Sequence, residues 1–194
     1  MRRLVFVPLL LAAVLIGTGG SAVSAAAGSS APSPDVVTFV SRAELQRQGR
    51  LHAVPGQPRA GTAALCLWDC LYITNRRYLR TVKPAVTMVS GNGPATISID
   101  ISRTVRNSFT ATVGVNAEVV SAGIGFNVER AESVTYRSST TVPNGSCWTL
   151  RAYNVFFEYG FEVWQEPFIG SDRRIGSGTA RDFQGIEFRL TKAC

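Results

Sequence analysis

Four cysteines, one histidine and a few acidic residues carry whatever covalent, metal or acid–base chemistry this 194-residue chain offers. Cys66, Cys70, Cys147 and Cys194 are an even set, and in an oxidising compartment such a set forms disulfides, here two with three open connectivities. On one extended strand Cys66 and Cys70 would stand about 13 Å apart, beyond a disulfide's reach. They pair across a turn, or each takes a distant partner. C-x3-C with two isolated cysteines is not a zinc-ligand spacing, so the expectation is no metal and no cofactor. His52 falls in Arg50–Gly61, which reads as a linker because of Pro55, Gly56 and Pro58. A nucleophile–base pair built there would lack held geometry.

The carboxylates fare no better as catalysts. Glu158 and Glu162 share one strand face about 13 Å apart, wider than the ~6.5–9.5 Å of an inverting glycosidase. Cross-strand pairs such as Glu118 with Glu129 or Glu132 read first as charges on a solvated face. Ile175-Gly176-Ser177-Gly178-Thr179 lacks the Gly-Lys-Ser/Thr of a phosphate loop, and Arg181 takes the sixth position of G-x-G-x-x-G. The chain is therefore expected not to be an enzyme. Among the aromatic residues, Phe157, Tyr159 and Phe161 alternate in phase with Val155 and Val163 and read as core. Phe156 and Trp164 fall on the opposite phase, beside Glu158 and Glu162, and are the binding candidates for a sugar ring or a lipid interface.

The elements that would position these residues are strands. From Ser108, Phe109, Ala111, Val113, Val115, Ala117 and Val119 alternate with Ser, Thr, Gly, Asn and Glu, the pattern of a strand with one apolar face. After Val119–Val120 the apolar phase shifts by one residue, to Ala122, Ile124, Phe126 and Val128. A bulge, or the tip of a hairpin turning back, produces such a shift. Gly91-Asn92-Gly93-Pro94 and Pro143-Asn144-Gly145 lie between alternating runs and predict two hairpins. Ala64–Val82 reads as a strand broken at Asn75-Arg76-Arg77, Pro167–Gly178 as a loop, and Ile186, Phe188 and Leu190 as a last strand. Ser41 with Glu44 predicts a capping box for a short helix ended by Gly49. About eight strands make the expected class all-β, an antiparallel sandwich or elongated twisted sheet with a short N-terminal helix and two disulfides.

Residues 1–27 have the three parts of a secretory signal: Arg2-Arg3, the apolar run Leu4–Ile16, and small-residue cleavage sites ending at Ala25 or Ala27. The expected organisation is a signal peptide over 1–27, a flexible segment over 28–62 and a β-rich domain over 63–194. Cleavage leaves eighteen basic against thirteen acidic residues, a net +5. The basic residues are scattered arginines rather than a run, which argues against nucleic acid as a partner. The functional expectation is a secreted, non-catalytic binding or interaction module. Its ligand would be a cell-wall glycan, a lipid surface or another secreted protein.

The run Ser108–Val128, followed by SVTYRSSTTVPNGSCWTLRAY, resembles the strand-rich modules of aerolysin-type (ETX/MTX2-like) β-pore-forming proteins. The matching features are the alternating strands, the Val142-Pro143-Asn144-Gly145 turn and Leu150-Arg151-Ala152-Tyr153. The same core is similar to β-rich secreted proteins of Gram-positive, actinobacterial-like type. Such a resemblance implies the alternative function, pore formation or membrane insertion. A membrane strand needs about 9–11 alternating residues, which Phe109–Val119 supplies. Phe109, Val113, Val115, Val119, Ile124 and Phe126 are then the membrane-insertion candidates.

Overall fold

The computed structural model describes residues 36–55, 70–112 and 114–192. In chain order the elements are β1 (Val36–Ser41), α1 (Arg42–Arg47), β2 (Leu51–Ala53), β3 (Cys70–Val82), β4 (Ala85–Asn92) and β5 (Ala95–Arg106). There follow β6 (Ser108–Ala111), α2 (Ala117–Ile124), β7 (Ala131–Val142), β8 (Cys147–Glu166) and β9 (Arg173–Lys192). The protein is predominantly β, and every strand pairing is antiparallel.

The twenty-residue strands β8 and β9 form one long hairpin, about 65 Å from end to end. Shorter strands line its outer edges: β4 then β3 along β8, and β1 then β6 along β9. A second sheet, ordered β2-β7-β5, lies over the Cys147 end. Between them, Ile97, Ile99 and Ile101 of β5 and Val134 and Val142 of β7 pack with Trp148, Leu150, Ala152 and Phe156 of β8 and Ile186, Phe188 and Leu190 of β9. The even-numbered residues of β8 therefore face the second sheet. Toward the loop end the hairpin buries its other face: Phe161, Val163 and Ala180 pack with Val120, Ile124 and Val128 of the α2 segment.

Several expectations need correction. Neither predicted hairpin is one: β4 pairs with β8 while β5 pairs with β7, and β7 and β8 belong to different sheets. Both turns are corners where the chain crosses between layers, because the alternating apolar faces of β5 and β7 stack on β8 rather than pairing beside it. The two corners touch. Gly93 N–H donates to the Ser146 carbonyl (2.8 Å), and a Cβ at Gly93 would overlap the Pro143 carbonyl. The supposed linker contains β2, with Leu51 buried and exposed His52 opposite Ser133 on β7. The supposed loop is strand from Arg173 onward. The N-terminal helix forms as expected: Ser41 Oγ accepts from Glu44 N–H, and the chain turns at Gly49 with φ 63°. The break in β3 is a bulge at Asn75 (φ 53°).

Candidate functional site

The long strand expected from Ser108 is short. It runs only to Ala111, pairs with β9 from Ser108↔Arg181 to Ala111↔Gly178, and gives way to α2. Local chemistry explains the helix. Asn116 caps it by accepting from Val119 N–H (2.9 Å), Val120 and Ile124 stand four apart on the buried face, and Gly125 closes it in the left-handed conformation (φ 86°). Gly123 lets the helix sit on β3, since a Cβ there would overlap the Ile73 side chain. Both periodicities are written into these residues, and the apolar strip of β8, β9 and β3 selects the helical one.

The segment 107–130 thus leaves β5, crosses β9 and β8 as β6 and α2, and returns to β7. Its two ends meet. Arg106 is opposite Ala131, and the ladder runs one rung further, with Asn107 N–H donating to the Arg130 carbonyl (2.8 Å). Asn107 is buried at this exit point. Its Nδ2 donates to the Asn127 carbonyl (2.9 Å) and Asp182 Oδ1 (3.0 Å), and its Oδ1 accepts from Phe183 N–H (2.8 Å). Within the segment Ser121 Oγ accepts from Val128 N–H (3.1 Å), and Phe126 packs it onto Tyr159 of β8 with ring centroids 5.8 Å apart; the Arg76 guanidinium of β3 covers the same Tyr159 ring at 4.6 Å. Asn107 did not stand out in the sequence. The available signal was weak, a polar residue, like Arg103 before it, on the otherwise apolar phase of Ile97, Ile99, Ile101, Val105 and Phe109.

The opposite face of this half is polar. A shallow trough of about 810 Å³ is lined by Arg77, Thr110, Gly160, Glu162, Arg174 and Thr179, among others. Glu158, almost fully buried two residues from Gly160, is held below the ordinary carboxylate value by the hydrogen bond from Arg181 (2.6 Å). Burial opposes that shift, and Arg80 (2.9 Å) reinforces it. Glu162 is likewise lowered, by hydrogen bonds from Asn75 and Trp164 and by the charge of Arg174. Glu132 is clamped by Arg42 at 2.6 and 2.9 Å. The lowered values favour the ionised form of Glu158 and Glu162, a poor state for donating a proton. Among the described residues no cluster of three or more His, Cys, Asp or Glu could hold a metal, and no helix is long and apolar enough to cross a membrane.

The predicted sites separate accordingly. Phe109, Val115, Ile124 and Phe126 pack together with Phe161 and Val163; Val119 is half-buried on α2; Val113 lies outside the described residues. Phe156 is not an exposed contact. It is buried edge-on against Phe183, because the second sheet covers the even face of β8 at that level. Trp164, beyond that cover, is half-buried with Nε1 donating to Glu162 Oε2 (3.3 Å). Cys70 and Cys147 are described and no described cysteine is free; Cys66, Cys194 and the expected signal lie outside the described residues. Compared with known proteins, the chain matches no family model and no curated protein.

Proposed function

We propose that this is a secreted, non-catalytic protein that inserts a β-hairpin into membranes, with residues 107–130 as the inserting element. One observation carries the reading. In every β5–β7 rung the two residue numbers sum to the same value, from Ala95↔Val142 to Arg106↔Ala131. Continuing that register through the segment sets Phe109 opposite Val128, Ala111 opposite Phe126, Val113 opposite Ile124, Val115 opposite Ala122 and Ala117 opposite Val120. The other face becomes Ser108, Thr110, Thr112, Gly114 and Asn116 opposite Glu129, Asn127, Gly125, Gly123 and Ser121. One face is wholly apolar and the other holds only polar residues and glycines, and the tip falls between Glu118 and Val119, next to the phase shift in the sequence. Each arm has the ~9–11 residues a membrane strand needs. The apolar face also continues the inward face of β5, so refolding would lengthen an existing hairpin. The aerolysin-type resemblance points the same way.

We also infer two disulfides, Cys66–Cys70 and Cys147–Cys194. Cys70 is opposite Glu166, the full length of β8 away from Cys147, while Lys192 is opposite Trp148. Cys194, two residues past Lys192, is within about 7 Å of chain reach of that rung, and only Cys66 remains for Cys70. Peptide mapping without reduction checks the pairing.

The test of function is dye release from liposomes by oxidised protein beginning near Gly28. Linking β6 to β9 through Thr110→Cys with Thr179→Cys, directly opposite residues, should abolish release. Each single substitution should preserve it. Release by the linked protein, or none by the wild type from any lipid, would sink the reading.

A further inference from the structure

The loop between β8 and β9 presents two adjacent large apolar side chains to solvent. Phe168 is 68% exposed and Ile169 84% exposed, and Ile169 is the most exposed large hydrophobic residue among the described ones. The loop around them is braced. Tyr72 Oη donates to Asp172 Oδ2 (2.7 Å), and Arg173 donates from Nε and Nη2 to Gln165 Oε1 (2.9 and 2.7 Å). Gly170 turns the chain at φ 112°, a conformation that strains any residue with a Cβ. The fold therefore leaves most of both side chains exposed at the end of its longest hairpin.

We infer that the Phe168–Ile169 tip is the protein's first contact with the bilayer, a shallow anchor in the interfacial region; this rests on the membrane reading above. An exposed apolar tip needs no complementary pocket when its partner is a lipid interface, where side chains of this kind are buried among headgroups and upper acyl chains. The position suits the task. Val163, under α2, lies near the end of β8 and only five residues before Phe168 in the loop, at most about 17 Å of chain, so a docked tip holds the inserting segment close to the membrane. Among the described residues the charges beside the tip balance: Arg173 and Arg174 stand with Glu166 and Asp172, and Arg174 also pairs with Glu162 (3.2 Å). Attraction to anionic lipid is consequently weak, and apolar burial drives docking. Binding should be nearly indifferent to salt and to lipid charge, unlike the docking of a basic patch.

Co-sedimentation with vesicles separates docking from insertion. The probes are phosphatidylcholine vesicles with and without phosphatidylglycerol, at low and high salt. Phe168→Ser with Ile169→Ser should weaken binding about 30-fold or more on every vesicle, as loss of two buried apolar side chains implies, with thermal stability unchanged. The Thr110→Cys/Thr179→Cys protein should bind like the wild type while releasing no dye. Binding without release by the wild type, still dependent on the tip, would retain the anchor and overturn the insertion reading. Undiminished binding by the serine variant, binding that needs anionic lipid or vanishes in high salt, or no wild-type binding to any vesicle would overturn the anchor.

Discussion

The two ends of the β8–β9 hairpin are built from the same strands and held in different ways. At the Cys147 end a whole sheet covers the hairpin, and seventeen buried residues from six strands and α1 form the core there. At the loop end the cover is one eight-residue helix and its flanks, with six residues fully buried, three of them in the cover itself. Removing the first layer would dismantle the molecule. Lifting the second would expose Phe161, Val163 and Ala180 and leave the sandwich standing. A bulge at Gln184 marks the change, where the β8–β9 register shifts between Val155 and Phe156. Stability is thus distributed unevenly along one continuous hairpin, the arrangement expected when one part must hold while another moves.

Substitutions at the two ends should behave differently. The largest effect is expected at the sandwich: Phe183→Ala should cost about 3–5 kcal/mol and lower the global denaturation midpoint. Ile124→Ala should cost about 2–5 kcal/mol of α2 packing. Hydrogen exchange should show it as faster exchange in 108–130 with β5 and β7 still protected. Equal loss of protection everywhere would show that the two ends unfold as one unit. Asn107→Ala takes the acceptor from the Phe183 N–H and frees the exit of the segment. At about 1–3 kcal/mol, it should speed dye release more than it lowers the melting temperature.

Acid offers a graded version of the same experiment. Glu158 and Glu162 at the loop end are depressed below the ordinary 4.5 by their hydrogen bonds from Arg181 and Asn75. Glu187, at the sandwich end, is depressed by Lys83 and Arg189 acting against its burial. Folded-state values below the unfolded ones mean that their stabilisation is complete above about pH 4.5 and is lost as pH falls further. Protection of 108–130 against hydrogen exchange should therefore fall below that pH, and Glu158→Gln should lower it already at neutral pH while lessening the further loss in acid. The smallest effect is expected from Asn116→Ala, about 1 kcal/mol for a lost helix cap, visible as fraying of α2 alone.

Alternation in Ile97–Ile101, Val155–Val163 and Ile186–Leu190 determined an antiparallel β protein, and Ser41 with Glu44 determined the first helix. In these places local pattern and tertiary burial demand the same thing. Sequence also marked residues 108–128 as amphipathic, with a phase shift near the tip implied by the β5–β7 register. It did not determine that this segment rests partly as a helix: Val120, Ile124 and Val128 serve a 3.6-residue period as well as a two-residue one, and only the apolar strip on β8, β9 and β3 chooses. Nor did it determine which turns join partners in one sheet, since Gly93 and Gly145 permit a hairpin or a layer-crossing corner equally well. Phe156 shows the limit most clearly. Its phase put it among the glutamates of β8, but a strand has two faces and the second sheet buries the even one only as far as residue 156. Where each face of a long strand meets water is decided by what lies across from it, and that information is spread over the whole chain.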